Sequence, residues 1–178
     1  MLRSSSIHLV ALFFGLQDGD IINIDVTVYL DGYHGDNARN FYVGTVSPEA
    51  KKLCETTSKA LDAAISICKP GVPYKEIGKV TETIAKENGF SIAKGLSGHG
   101  VGKDFHMQPA ILHYTNNMPG VMQAGQTFTI EPILLQGADV AKTWDDGWTM
   151  VTKDGGLTAQ CEHTILITDD GAEILTKC

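Results

Sequence analysis

Four carboxylates lie on the polar faces of segments that are expected to form largely buried strands. Asp25 stands in IINIDVTVY, Asp36 in GYHGDNARN, Glu131 in TFTIEPILL and Glu162 in TAQCEHTIL. A single carboxylate on a strand is usually solvated, but burying one without a partner is costly. Arg39 and a few distant lysines are the available cationic side chains. A bound metal is therefore the better explanation for the four carboxylates together.

A fifth candidate ligand is His99, which lies in the glycine-rich segment SGHGVGKDFH. Flanking glycines allow close backbone approach, so we expect this segment to hold the imidazole in a tight turn. Taken alone, His99 is equally well explained as a loop histidine. With two Asp and two Glu, it completes a set whose four negative charges two divalent cations would neutralise. Mixed carboxylate and imidazole ligation suits Mn, Fe, Co or Zn.

The elements that position two of these ligands form a predicted hairpin. Residues 22 to 29 alternate apolar and polar side chains, which is the pattern of a half-buried strand. Asp31-Gly32 indicates a two-residue turn. That turn pairs residue 30 with 33, so Asp36 lies opposite Thr27, and Asp25 opposite Ala38. The two carboxylates are then diagonal neighbours on one face of the hairpin.

The rest of the chain predicts an α+β fold. Ser47-Pro48 starts one helix, which ends at Lys69-Pro70-Gly71, and a second helix runs over residues 74–88 with Asn88-Gly89 as its C-terminal cap. Short strands are expected at residues 127–135, 148–152, 157–168 and 173–175. A hairpin, two helices and then several strands make one domain of the α+β class.

Composition narrows the function classes. The chain has 178 residues, 43% of them hydrophobic, and a net charge of −7. That acidity argues against direct nucleic-acid binding, which needs clustered Lys and Arg. No apolar run approaches the roughly 18 residues of a membrane span. The four cysteines include no C-x-x-C pair and are expected to be reduced thiols, which fits an intracellular compartment.

Four segments, NIDVTVYLDGYHGD, SGHGVGKDFH, TFTIEPIL and AQCEHTILIT, resemble the successive signature blocks of type I methionine aminopeptidases. They occur in family order across residues 17–178, which we therefore assign to a partial catalytic domain. The blocks look most like those of organellar, plant-like members. The resemblance implies the pita-bread fold and a site for two divalent metal ions.

In that site the resemblance implies that Asp36 and Glu162 bridge the metals. Asp25 would complete the ligand shell of one metal, and His99 with Glu131 that of the other. A hydroxide held between the metals would attack the scissile carbonyl. Glu131 would move the proton, and His106 would hydrogen-bond the peptide group of the substrate.

The implied reaction is removal of the N-terminal methionine from nascent chains whose second residue is small. Phe105 and Trp148 match positions that help to wall the methionine pocket, where apolar surfaces suit a thioether. The implied partners are nascent polypeptide N-termini, with ribosome association as a further expectation. We expect a monomer in the cytoplasm or in a chloroplast or mitochondrion.

Residues 1–16 depart from the family pattern. Members carry further strands and helices ahead of Asp18, and a segment N-E-x-x-x-H-G whose histidine contacts substrate. His8 lies one residue out of register with that histidine, and a one-residue slip on a strand reverses the side chain's face, so we do not expect it to substitute. The apolar stretch 7–16 after Arg3 is compatible with a signal-peptide core, a buried strand or an aberrant start.

Two consequences and two rival functions follow. Without part of the N-terminal half of the fold, we expect uncovered sheet edges and an uncovered apolar helix face. The metal ligands are then expected to be intact, whereas stability and activity are expected to be impaired. The rivals are a proline-specific peptidase of the same fold and a catalytically impaired relative that acts as a binding module. The H-G-x-G-x-x-F-H spacing and the absence of large insertions favour the aminopeptidase.

Overall fold

The structure is a computed structural model that describes residues 15–177. Its first element is an antiparallel hairpin of β1 (Ile21–Leu30) and β2 (Tyr33–Tyr42). Asp31 and Gly32 both have positive φ, 50° and 90°, as a two-residue hairpin turn requires. The predicted register is confirmed, because Thr27 pairs with Asp36 and Asp25 with Ala38.

Two helices follow the hairpin. Helix α1 (Pro48–Ser66) begins at its predicted cap, where Ser47 Oγ accepts a hydrogen bond from the Ala50 N–H over 3.1 Å. Helix α2 (Lys75–Glu87) ends at Asn88 and Gly89, and Gly89 has a φ of 83° as expected for a left-handed cap. Neither helix in residues 15–177 is long and apolar enough to span a membrane.

The remaining strands of the described part of the chain form three sheets. The largest has the order β12-β11-β6-β4-β5, the second β10-β7-β3, and β8 pairs with β9 alone. The bounds are β3 Ser91–Ile92, β4 Gly98–Gly100, β5 Met107–Ile111, β6 Thr127–Ile130, β7 Ile133–Leu135, β8 Ala141–Thr143, β9 Met150–Thr152, β10 Thr158–Gln160, β11 His163–Ile167 and β12 Ala172–Ile174. The α+β class is as predicted.

Two of the long predicted strands are interrupted. Residues 127–135 divide into β6 and β7 at Glu131-Pro132, and residues 157–168 divide into β10 and β11 at Cys161-Glu162. Proline has no N–H to continue a ladder, which explains the first break. At the second break the Glu162 N–H donates to the Ala38 carbonyl of the hairpin over 2.8 Å. Both interruptions fall at predicted metal ligands.

The core lies between the helices and the sheets. One buried cluster joins Leu61 and Ile77 of the two helices to Phe128 and Ile165 of the large sheet. A second joins α1 and α2 to β3, β7 and β10. Cys54, Cys68 and Cys161 are buried and free, and Cys178 lies outside the described residues.

The hairpin has one face toward this body and one away from it. On the inner face Asp36 is tied to β11, since its N–H donates to Thr164 Oγ1 and its carbonyl accepts from the same hydroxyl, at 3.0 and 2.8 Å. The outer face exposes apolar side chains, among them Ile24, Val28 and Leu30, the last 61% exposed. Within residues 15–177 β1 pairs with β2 alone, so no described strand pairs with its other edge.

Candidate metal centre and active site

All eight residues that the sequence predicts to bind metal or substrate line one cavity of about 830 Å³. The five candidate metal ligands there are Asp25, Asp36, His99, Glu131 and Glu162. The other three are Phe105, His106 and Trp148. His8 lies outside the described residues.

The hairpin supplies two of the carboxylates. Asp25 is half-buried and Asp36 is buried, and both project from the face that meets the large sheet. Thr27, directly opposite Asp36, donates its hydroxyl to Asp36 Oδ1 over 2.8 Å. The period-2 pattern therefore delivers two carboxylates and an orienting hydroxyl to the same face.

Glu131 and Glu162 enter the cavity from the strand breaks and not from strand interiors, which corrects the prediction. Thr129 Oγ1 donates to Glu131 Oε1 over 2.8 Å. The Glu131 N–H, freed from the sheet ladder, donates to Nε2 of the buried His113 over 3.0 Å. A break lets each glutamate turn into the cavity while its backbone keeps a hydrogen-bond partner.

His99 lies on β4, so the expected tight turn is wrong, although the expected close backbone approach at its flanking glycines is confirmed. A Cβ on Gly98 would collide with the Thr129 carbonyl, and one on Gly100 with the Gln108 carbonyl. His99 Nε2 lies 3.7 Å from Asp36 Oδ2 and 3.7 Å from Glu131 Oε1. The ring therefore stands between carboxylates from two different elements.

Three of the residues approach one another closely enough to share a metal ion. One ligand atom each of Asp36, His99 and Glu162 lies within 4.8 Å of the other two. Glu162 is 1% exposed, and its Oε1 has no hydrogen-bond partner within the described chain. A buried carboxylate oxygen without a donor is costly unless a cation meets it. The donor set therefore fits a divalent metal.

The pKa values of these side chains also reflect how costly it is to bury several carboxylates together. Burial raises the pKa of Glu162 to about 10, and the charges of Glu131, Asp36 and Asp25 add to the effect. Burial likewise raises the pKa of Glu131 to about 7, against the hydrogen bond from Thr129. Burial alone would lower the pKa of His99, but its contacts with Asp36, the Gly100 carbonyl and Glu131 raise it above the ordinary value.

Phe105 and His106 follow β4 in the connection to β5. The His106 ring centroid lies 4.4 Å from that of His99, and the Phe105 centroid lies 5.4 Å from His99. Burial and the nearby His99 lower the pKa of His106, which favours the neutral imidazole. Trp148 reaches the same cavity from the turn between β8 and β9, two residues short of the strand that was predicted to include it.

Sequence reasoning missed three residues that orient the candidate ligands: Thr27, Thr129 and His113. The two threonines had a signal, because each stands two residues from a candidate ligand on the same side of an extended segment. His113 had none. It comes to Glu131 from the end of β5, 18 residues away along the chain.

The chain belongs to metallopeptidase family M24, whose model matches residues 3–169. It is 58% identical over 163 residues to a protein named methionine aminopeptidase 1D, chloroplastic/mitochondrial, of Arabidopsis thaliana. That match covers 92% of this chain and 47% of the relative, so the chain spans about half the length of that relative. The resemblance to organellar, plant-like methionine aminopeptidases is confirmed.

Solved structures agree on the fold. A methionine aminopeptidase from Rickettsia prowazekii superposes with a TM-score of 0.88 at 41% identity, covering 91% of this chain and 66% of that one. A prolidase from Pyrococcus furiosus superposes with a TM-score of 0.73 at 29% identity, covering 92% and 43%. The pita-bread fold expected from the sequence is confirmed, and the methionine aminopeptidase is the more similar of the two.

Proposed function

We propose that the chain is a metal-dependent aminopeptidase that removes the N-terminal methionine from polypeptides with a small second residue. The observation that carries the proposal is the meeting of five ligand-type side chains in one cavity, where the Glu162 Oε1 atom has no hydrogen-bond donor among residues 15–177. The similarity to methionine aminopeptidases from two organisms supports the choice of substrate.

The proposed cofactor is a pair of divalent metal ions, Mn, Fe, Co or Zn. Asp36 and Glu162 would bridge the two, Asp25 would bind one, and His99 with Glu131 would bind the other. When bound, such ions polarise the scissile carbonyl and lower the pKa of water. Four carboxylates and a neutral imidazole balance the charge of two divalent ions.

The remaining roles belong to side chains of this chain. Glu131 would carry the proton, because its carboxylate faces the cavity and is oriented by the Thr129 hydroxyl. His106 would donate a hydrogen bond to the peptide group, from its position beside His99. Phe105 and Trp148 would wall the methionine side chain.

We propose nascent polypeptide N-termini as the partners, with the protein acting as a monomer that associates with ribosomes. The name of the Arabidopsis relative, chloroplastic/mitochondrial, supports an organellar compartment for this chain. A chloroplast or mitochondrion is therefore proposed ahead of the cytoplasm. Microscopy of a tagged chain in plant cells tests this, and a diffuse cytosolic signal contradicts it.

Cleavage of a Met-Ala-Ser peptide by the purified chain with added Mn or Co tests the activity. Asp36→Ala should abolish cleavage and metal binding. Asn37→Ala is the matched control, since Asn37 follows on the opposite face of the hairpin. Metal binding without cleavage would favour the binding-module alternative, and cleavage of an Xaa-Pro dipeptide in place of Met-Ala-Ser would favour the proline-specific peptidase.

A further inference from the structure

One histidine that the proposed mechanism does not use connects the hairpin to the cavity. His34 is half-buried near the tip of β2, on the same face as Asp36. Its backbone N–H donates to the Gly102 carbonyl over 2.8 Å, and its ring Nδ1 lies 3.0 Å from the same oxygen. A carbonyl only accepts hydrogen bonds, so Nδ1 carries a hydrogen and one carbonyl receives two donors.

The Gly102 carbonyl belongs to the 101–106 loop, meaning residues 101–106 between β4 and β5. This loop carries Phe105 and His106 at its far end. It is tied to the body at two successive carbonyls, Val101, which accepts from the Thr127 hydroxyl, and Gly102, which accepts from His34. The second of these anchors is the one nearer to Phe105.

The ring of His34 also supports the loop by packing. It lies between Tyr29, with centroids 4.6 Å apart, and Phe105, with centroids 5.6 Å apart. Phe105 in turn contacts the His106 ring at a centroid distance of 4.1 Å. A continuous row of rings therefore runs from the hairpin tip to the two residues that face the substrate side of the cavity.

We propose that His34 is a positioning residue that holds the 101–106 loop so that Phe105 and His106 face the substrate. This inference rests on the proposed function for its effect on catalysis, but the restraint on the loop does not depend on activity. Metal binding should be independent of His34, because Asp36 is separately held by Thr27 and Thr164. A displacement of about 1 Å at reacting groups can cost on the order of 100-fold in rate.

Three variants separate the two contributions of His34. His34→Ala removes both hydrogen bond and stacking, His34→Phe keeps a ring without a donor, and His34→Asn keeps a donor close to the position of Nδ1. Tyr33→Ala is the control, since Tyr33 is an exposed neighbour on the other face of the hairpin. His34→Ala should lower kcat/KM for Met-Ala-Ser by about 10- to 100-fold at unchanged metal content, and His34→Asn should recover most of it.

Trypsin cleavage after the exposed Lys103 measures the loop directly, without any catalysis. We expect cleavage to be about 10-fold faster in His34→Ala and unchanged in Tyr33→Ala. Equal cleavage rates in wild type and His34→Ala overturn the inference, as does faster cleavage with unaltered kcat and KM. If the wild-type chain does not cleave the peptide, the proposed function fails, and the trypsin rates still decide whether His34 holds the loop.

Discussion

The backbone N–H of Glu131 donates to Nε2 of His113 over 3.0 Å, so a fully buried neutral imidazole supports the turn that delivers a candidate metal ligand. Burial lowers the pKa of His113 to about 3. The unfolded chain takes up a proton near the ordinary value of 6.5, whereas the folded chain resists it. The contribution of His113 to the free energy of unfolding is therefore fully present above about pH 6.5. It is lost as the pH falls from 6.5 toward 3.

His113→Gln should flatten this acid loss, because an amide oxygen accepts the same hydrogen bond without titrating. Denaturant unfolding in the presence of a chelator, between pH 7 and 4, measures the difference. We expect the wild type to lose more stability than the variant over that range, on the order of 3 kcal/mol. Parallel pH profiles for the two proteins would show that His113 does not limit acid stability.

Metal uptake should release protons and should stabilise the protein more at high pH. The pKa values of Glu131 and Glu162, about 7 and about 10 without metal, leave protons on the site at neutral pH that a metal must displace. Carboxyls with raised pKa stabilise the metal-free fold below about pH 4.5 and lose that contribution as the pH rises. A bound metal should offset this loss of stability, so its stabilising effect should be larger at high pH.

The measurement is the rise in Tm on adding saturating Mn at pH 6 and at pH 8, with calorimetry in two buffers to count protons. A larger rise at pH 8, with protons released to the buffer, is expected. Mg at the same concentration controls for ionic strength, because it is a poorer match to an imidazole-containing site. A rise that is equal at the two pH values contradicts the prediction.

Thr129 should matter to metal affinity, although it is not a ligand. Its hydroxyl donates to Glu131 Oε1 and accepts from the His99 N–H over 3.0 Å, so it orients two candidate ligands at once. Thr129→Val keeps the shape and removes both hydrogen bonds. We expect a loss of about 10- to 100-fold in metal affinity, the usual effect of removing a residue that orients a ligand.

Thr57→Val is the matched control for Thr129→Val. Thr57 is also fully buried, and its hydroxyl donates to the Leu53 carbonyl within α1, away from the cavity. Metal titration followed by calorimetry compares the two variants. Equal affinities in both would mean that Thr129 contributes packing and not orientation.

Substituting Gly100 by a residue with even the smallest side chain should destabilise the fold. A Cβ there would strike the Gln108 carbonyl, a backbone atom of the paired strand β5 that cannot swing away. Gly100→Ala should therefore cost at least about 2 kcal/mol of unfolding free energy. Gly95→Ala, where a Cβ meets open space, should be nearly neutral. Urea unfolding checks the pair, and similar midpoints would contradict the packing argument.

The pairing register of the hairpin could be predicted to the residue because Asp31-Gly32 fixes a local turn and the alternating pattern fixes the faces. Pro132 is a local signal for the break after β6, but the prediction of a single strand over residues 127–135 does not use it. The break at Glu162 has no local signal, since it depends on a hydrogen bond to Ala38, which lies 124 positions earlier in the chain. The same is true of His113. Local chemistry thus identified the ligands, and long-range hydrogen bonding determined how they are presented.

Trp148 should contribute to substrate binding, and Trp144, in the same turn between β8 and β9, provides its control. Trp148 lines the cavity, and its N–H donates to Asp146 Oδ1 over 2.8 Å, which fixes the turn. Trp144 is comparably exposed, at 51% against 66%, but is not among the residues that line the cavity. Both side chains are large and apolar, so their general effects on solubility and stability should be similar.

Trp148→Ala should raise KM for Met-Ala-Ser by about 3- to 10-fold with a smaller change in kcat, because apolar contact with the methionine side chain is lost. Trp144→Ala should leave both constants unchanged. Free methionine added to the metal-loaded protein should alter tryptophan fluorescence in wild type and in Trp144→Ala, but not in Trp148→Ala. A fluorescence response that survives in Trp148→Ala and disappears in Trp144→Ala would place the methionine side chain outside the cavity that holds the candidate ligands.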